Sequence, residues 1–310
     1  MKCVKPYLQG DAAYGCGQCL PCRFGRRRVW THRILLESYN WSENSFVTLT
    51  YADDYLPRLA DGRATLRKLD AQKWLKRLRH YLHGAQVRYF LVGEYGEDSW
   101  RPHYHAILFG FGGCAYEDSR LAPVRNCVCL SCDVLRKSWP YGFVHQGRVE
   151  RKSAQYVSGY TVKRMVRSDD PRLEGREPEF ARMSLRPGIG ALSMRSVAEA
   201  VKAARVVDCE GDVPSGLRHG VQVMPLGRYL RRRLRAEVGL DVRAPRATLE
   251  KAQEVLRDVR EAATVVSVTP AGREVKYVDR AKMKALLVSE GKHEEARLRH
   301  RQSLFQRGKK

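Results

Sequence analysis

No stretch of this 310-residue chain approaches the roughly 18 consecutive apolar residues that a membrane-crossing helix needs. The N-terminus, Met-Lys-Cys-Val-Lys-Pro-Tyr, has no apolar signal region and no small-residue cleavage site behind it, so the expectation is a cytoplasmic protein with no membrane partner. A Gly-Lys-Ser/Thr phosphate loop is missing as well, which excludes a nucleotide-driven motor of that type. There is no internal repeat. Acidic residues are scarce: 34 Asp and Glu face 57 Lys and Arg, for a formal net charge of +23. The excess is spread along the chain, with 31 basic against 19 acidic residues in 1–190 and 26 against 15 in 191–310. A surface this basic in both halves calls for a polyanionic partner.

In a reducing compartment the nine cysteines read as thiols or metal ligands rather than disulfides. Cys3, Cys16, Cys19 and Cys22 form one group whose two-residue spacings suit a closed tetrahedral zinc site, with unligated thiols as the alternative. Cys114, Cys127, Cys129 and Cys132 form a second group in an expected insertion, a candidate second zinc site. Cys209 stands alone as a free thiol.

Residues 24–39 carry Trp30, Ile34, Leu35 and Leu36 among arginines, the pattern of a basic amphipathic helix. Phe46 to Tyr51 reads as a strand and 66–82 as a helix with Trp74, Leu75, Leu78 and Leu82 inward. Arg88 to Tyr95 is a second strand. Only seven residues, Gly96 to Pro102, separate it from the next, so the two form an antiparallel hairpin. In that third strand a period of two puts His103 and His105 on one face, where they can share a metal, and Glu94 falls across the ladder as a third ligand. Residues 143–149 read as a fourth strand. Tyr156, Tyr160 and Lys163 then form one row on a helix. Taken together the order is α+β with a mainly antiparallel sheet, divided as a cysteine-rich segment and basic helix (1–40), a central domain (41–190, with an insertion at 110–133) and a basic, mostly helical region (191–310). Residues 195–206 and 226–237 are expected helices, and the chain beyond Arg243 is expected to be an extension.

A metal beside two phenols points to phosphodiester chemistry, in which the ion polarises a phosphate and tyrosine attacks through oxygen. Nitrogen and oxygen ligands suit manganese or zinc, whereas magnesium prefers oxygen and water. The bland alternatives are hydrogen-bonded strand histidines and two core aromatics. Arg26, Arg27 and Arg28, and Arg231, Arg232 and Arg233, suit phosphate contacts.

Phe46-Val-Thr-Leu-Thr-Tyr51, Arg101-Pro-His103-Tyr-His105 and Tyr156-Val-Ser-Gly-Tyr160-Thr-Val-Lys163 resemble the three ordered motifs of the HUH endonucleases, the rolling-circle replication initiators. Cys16-Gly-Gln-Cys19-Leu-Pro-Cys22, Gly93-Glu94-Tyr95-Gly96, Met183-Ser-Leu-Arg-Pro-Gly-Ile-Gly190 and Pro225-Leu-Gly-Arg-Tyr-Leu-Arg231 are similar to the initiators of gokushovirus-like microviruses over roughly residues 1–235. The resemblance implies a ferredoxin-like core with the histidines on a central strand, a zinc-binding N-terminal segment and a helical C-terminal extension. It implies a nickase and strand transferase that uses manganese or magnesium. One tyrosine would cleave the origin strand and keep its 5′ phosphate, the second would act after a full circle, and Lys163 would neutralise phosphate charge. Implied partners are single-stranded and supercoiled double-stranded phage origin DNA, a host helicase and a host DNA polymerase, in the bacterial host cytoplasm. Two rivals stand beside this reading: a non-enzymatic zinc-stabilised nucleic-acid-binding protein, and another HUH enzyme such as a relaxase or single-strand transposase.

Overall fold

The computed structural model describes residues 2–10, 12–96, 99–114, 127–163, 170–205, 207 and 211–307; the side chains of 152, 160–163 and 305–307 are outside this set. Along the chain run β1 (Tyr7–Gln9), β2 (Ala12–Tyr14), α1 (Leu20–Ser38), β3 (Asn44–Tyr51), α2 (Lys68–Tyr81), β4 (Arg88–Tyr95), β5 (Pro102–Phe109), α3 (Leu130–Ser138), β6 (Gly142–Arg148), α4 (Arg151–Lys163) and β7 (Phe180–Met183). After them come α5 (Met194–Ala203), β8 (Gly216–His219), β9 (Gln222–Pro225), α6 (Gly227–Val238), α7 (Arg246–Glu254), α8 (Arg257–Ala263), β10 (Thr264–Val268), β11 (Glu274–Val278) and α9 (Arg280–Arg307). The fold is α+β, as the element order predicts. Among the described residues no helix is long and apolar enough to cross a membrane.

Two compact units divide the chain, one of residues 27–199 and 215–234, the other of 1–26, 200–214 and 235–310. The first is built on a five-stranded sheet in the order β6-β3-β5-β4-β7, antiparallel at every pairing. Side chains alternate between its faces. On one face Val47, Leu49 and Tyr51 of β3, Leu91 and Tyr95 of β4 and Tyr104, Ala106 and Leu108 of β5 pack with Trp74, Leu75 and Leu78 of α2 and Val134 and Leu135 of α3. On the other face Phe90, Val92, Ile107 and Phe109 pack with Ile34 of α1, Ala154 and Val157 of α4, and Ile189. α1 and α4 are tied directly, by a 2.7 Å hydrogen bond between Thr31 and Ser158 and by Arg27 Nε donating to the Gln155 carbonyl.

Two elements of this unit escape the sequence reading. Helix α3 starts inside the expected insertion, directly at Cys129, and β7 is a four-residue edge strand with no alternating pattern. Pairing with β4 makes β7, and Gly93 makes room for it, because a Cβ there would sit 2.7 Å from the Phe180 ring.

The other unit has its own small core. Ala13, Leu256, Ala263, Met283 and Leu287 are buried together, with Leu8 and Val278 packed on them. The region expected to be a mere extension thus closes over the first two strands. Gly291 of α9 lets Cys3 lie on the helix, since a Cβ there would overlap the Cys3 carbonyl. Arg235 donates twice to Asp212, at 2.7 and 2.8 Å, in a buried ion pair.

The motifs at 183–190 and 225–231 converge on α1. Fully buried Glu37 accepts from Arg88 Nε at 2.6 Å, from the Gly190 amide at 2.7 Å and from Trp41 Nε1 at 3.3 Å. Arg88 also donates to the Pro187 carbonyl, Tyr229 accepts from the Gly188 amide, and the Arg33 guanidinium lies over the rings of Trp30 and Tyr229. Removing one partner of a buried pair leaves the other uncompensated. Arg88→Ala, which strands the fully buried Glu37 carboxylate, is therefore expected to cost about 3–5 kcal/mol, read as a lowered urea midpoint, and Glu37→Ala less, since the Arg88 head it strands is partly exposed. A Glu37→Ala protein as stable as the parent would refute the role of this hub.

Candidate active site

The pairing register assembles the site. On the face shared with α1 and α4, Glu94 of β4 lies opposite His103 of β5, and His103 lies opposite Thr50 of β3. One step along, Val92, His105 and Thr48 are aligned in the same way. Cross-strand partners point to the same side, so the carboxylate and both imidazoles converge. His103 Nε2 is 2.8 Å and His105 Nε2 3.0 Å from Glu94 Oε1.

Both imidazoles are oriented from behind. The His103 Nδ1–H donates to the Arg101 carbonyl at 3.1 Å, and His105 Nδ1 pairs with Thr48 Oγ1 at 2.9 Å. The Nε2 atoms are thereby turned toward Glu94, the orientation that a hydrogen bond on the far ring nitrogen imposes on ligand histidines. Glu94 and His105 are only 4% and 5% exposed. Burial raises the Glu94 carboxyl, but hydrogen bonds and charge from the two imidazoles outweigh it and hold its pKa below the ordinary value. Burial lowers His103, yet the Glu94 bond and charge prevail and its pKa is raised; in His105 burial prevails and the pKa is lowered. The three ligand atoms lie within 4.8 Å of one another and fit a divalent metal ion.

Tyr156 stands at this centre. Its ring meets His105 edge-on, with centroids 5.2 Å apart at 81°, and meets Phe46 at 6.1 Å, while Phe46 stacks on His105 at 5.5 Å. It is 46% exposed, whereas Ala154, Val157 and Ser158 form the buried side of the same helix. The core-aromatic alternative therefore does not describe Tyr156. Tyr160 and Lys163 belong to α4, one and nearly two turns on; their side chains lie outside the described residues.

The cysteine groups also assemble. Cys3, Cys16, Cys19 and Cys22 offer sulfurs within 4.8 Å of one another, as do Cys114, Cys127, Cys129 and Cys132, and each set can hold a metal ion. In the first, Cys19 Sγ is 3.8 Å from Cys3 Sγ, and Cys16 Sγ accepts from the amides of Gln18 and Cys19. Burial raises the Cys16 thiol, but those amides outweigh it and bring the pKa to about 7, while burial pushes Cys3 and Cys22 up. In the second, Cys114 Sγ is 3.5 Å from Cys127 Sγ and 4.0 Å from Cys129 Sγ. Residues 115–126 of the insertion and Cys209 lie outside the described residues.

The arginine arrays are not brought together with this centre by any hydrogen bond described. Arg26, Arg27 and Arg28 donate to the carbonyls of Gly17, Gln155 and Val223. On α6, Arg231 is half-buried, and Arg232 and Arg233 are exposed. Thr48 is the site residue that sequence reasoning missed. Pairing the Phe46–Tyr51 strand against the histidine strand would have found it.

Residues 44–165, which contain all of these centres except the first cysteine group, match the family model for replication-associated proteins of the ORF2 type. Replication-associated protein VP4 of Bdellovibrio phage phiMH2K is 30% identical over 165 residues, 51% of this chain and 50% of that protein. Replication-associated protein ORF2 of Spiroplasma virus 4 is 32% identical over 190 residues, 60% of this chain and 58% of that protein. The chain is thus similar to phage replication-associated proteins over about half of its length. It matches 38% of a third relative, replication-associated protein ORF4 of Chlamydia phage 1, and so spans about half the length of the curated relatives it matches. No solved structure matches.

Losing an outer partner of a ligand histidine typically weakens metal binding about 10- to 100-fold. Thr48→Val should therefore reduce manganese affinity by that order in a calorimetric titration, with the far-ultraviolet dichroism unchanged. Unchanged affinity would show that Thr48 does not orient His105.

Proposed function

We propose that this protein initiates rolling-circle replication of a single-stranded DNA phage by nicking and rejoining the origin strand through tyrosine. The observation that carries the reading is the edge-on packing of half-exposed Tyr156 against His105 in the Glu94, His103 and His105 donor set. A nucleophile there is within reach of a phosphate drawn to the same centre. A divalent ion held by the three ligands would supply charge to polarise that phosphate. Manganese suits the mixed donor set, and magnesium is the alternative.

In the proposed step the Tyr156 hydroxyl gives up its proton and its oxygen bonds to phosphorus. The bond from phosphorus to the 3′ oxygen breaks, and that oxygen takes up a proton and becomes the primer end. The 5′ phosphate stays on tyrosine as an ester, which preserves the bond energy for rejoining. Tyr160, on the next turn of α4, is the nucleophile for the regenerated origin, and Lys163 the cation beside it. The sequence carries no Gly-Lys-Ser/Thr phosphate loop to drive unwinding, so a host helicase and polymerase complete the cycle. The rival without catalysis, a nucleic-acid-binding protein stabilised by zinc, shares the cysteine groups but has no use for a half-exposed phenol against a ligand imidazole.

Both cysteine groups are read as structural zinc sites. The sulfur separations of 3.5 to 4.0 Å bracket the edge of about 3.8 Å that four Zn–S bonds of about 2.3 Å give a tetrahedron.

Labelled single-stranded segments of the parent genome, incubated with protein and manganese, should give a covalent adduct on the 5′ phosphate that survives denaturing electrophoresis. The adduct should vanish with chelator, with His103→Ala, and with the double variant Tyr156→Phe/Tyr160→Phe, while DNA binding persists in the last. Binding without adduct across several metals and all segments would overturn the enzyme and favour the binding protein. Elemental analysis should find about two zinc ions per chain, falling by one in Cys16→Ser/Cys19→Ser. An unchanged zinc content in that variant would remove the first group from the reading.

A further inference from the structure

The segment that leads into β7 ends beside the metal ligands. In β7, Ala181 and Met183 pack on the face shared with α1 and α4, and Phe180 packs on the opposite face. Alternation therefore puts Glu179, one residue before the strand, on the face of the site. The register agrees. Phe180 is paired with Gly93, so one further step along the ladder brings Glu179 opposite Glu94. Residues so placed have Cβ atoms about 5 Å apart.

Glu179 is held in this place from β4. Tyr95, the neighbour of Glu94, donates its amide to Glu179 Oε1 at 3.3 Å. The Tyr95 hydroxyl donates to the Glu177 carbonyl at 2.7 Å, and the Glu177 amide donates to Thr65 Oγ1 at 3.0 Å. The charge of Glu179 reaches the centre: burial lowers the His103 pKa, the Glu94 bond and charge prevail over it, and Glu179 adds to the rise. Arg172 also feels Glu179, but that guanidinium is exposed and donates to Asp170 at 2.8 Å.

A divalent ion in this donor set would meet one carboxylate, Glu94, and two neutral imidazoles. That sum leaves one positive charge in a pocket where Glu94 and His105 are only 4% and 5% exposed, and an uncompensated buried charge is costly. A second carboxylate beside Glu94 brings the sum to zero, and the number of ligand charges is one of the properties that tune divalent affinity. We propose that Glu179 is a positioning residue of the metal centre, supplying the second negative charge that balances a divalent ion held by Glu94, His103 and His105. It acts from beside Glu94, through the Tyr95 amide and through its field, and not as a fourth ligand, since it is outside the group whose ligand atoms lie within 4.8 Å of one another. The inference rests on the reading of this donor set as a metal centre.

The test is a calorimetric titration of the full chain with manganese at low salt, with His103→Ala as the blank. Glu179→Gln keeps an oxygen for the Tyr95 amide and removes the charge, so it should bind manganese roughly fivefold more weakly. Glu179→Asp, which keeps the charge, should stay within about twofold of the parent. The urea midpoint of Glu179→Gln should match that of the parent. Parental affinity in Glu179→Gln, or a Glu179→Asp protein as weak as Glu179→Gln, would overturn the role of the charge. So would a urea midpoint of Glu179→Gln that falls together with its affinity, which would make Glu179 a support of the fold. Failure of the metal-centre reading is separable: the parent then takes up no more manganese than His103→Ala, whereas clear binding by the parent with equal binding by Glu179→Gln sinks Glu179 alone.

Discussion

The convergence of Glu94, His103 and His105 depends on the pairing register of β3, β5 and β4. A strand shifted by one residue would turn every side chain to the opposite face. Glu94, His103, His105 and Thr48 meet only because Glu94 is opposite His103 and Thr48 opposite His105. The register is held from the far side, where Tyr51, Tyr104, Ala106, Leu108, Leu91 and Tyr95 must all be buried at once. Tyr51 and Tyr104 are joined to each other through their hydroxyls, and Tyr51 donates to buried Asp70 of α2. A slip would expose this set and strand its hydroxyls. The apolar face thus pays in packing for the polar face's geometry.

The site also requires that its own face be covered only in part. α1 and α4 bury Phe90, Val92, Ile107 and Phe109, the end of the face away from Glu94 and His103. Their placement is governed by polar contacts with little freedom: Thr31 to Ser158, Arg27 to the Gln155 carbonyl, and the Glu37 and Arg88 hub that anchors the 186–190 turn. Because α4 is fixed through Ala154, Val157 and Ser158, Tyr156 must project along the margin of the covered region, where it reaches His105 and solvent together.

Much of this was legible in the sequence, for identifiable reasons. Strands β4 and β5 and the Glu94, His103 and His105 set follow from alternation and from a connection too short for anything but a hairpin. The cysteine groups, Cys3 included, follow from ligand spacing, and the fold adds that Cys3 lies against Gly291 of α9. What could not be read was whatever tertiary pairing creates. β7 has no pattern of its own and exists as a partner of β4, and α3 is a nine-residue helix that begins at the end of a cysteine-rich insertion. The arginines of 26–28 looked like free phosphate contacts, yet each gives a donor to a backbone carbonyl. Composition counts charges and is silent about which donors folding consumes.

The second cysteine group has a role that follows from its neighbours. Cys132 lies on α3 with its sulfur 3.6 Å from Gln146 Oε1, and Gln146 Nε2 donates to the Gly112 carbonyl and to Ser131 Oγ. Gln146 is buried on β6, next to His145. An edge strand has a ladder partner on one side only, so its register depends more than that of a central strand on what its side chains hold. Here the buried amide ties β6 to the segment that carries the cysteines, and the strand's other face presents Phe143 and His145. The insertion is therefore not a decoration on the sheet: it braces the strand that bounds the open side of the site, while β5, paired on both sides, holds His103 and His105 independently of it.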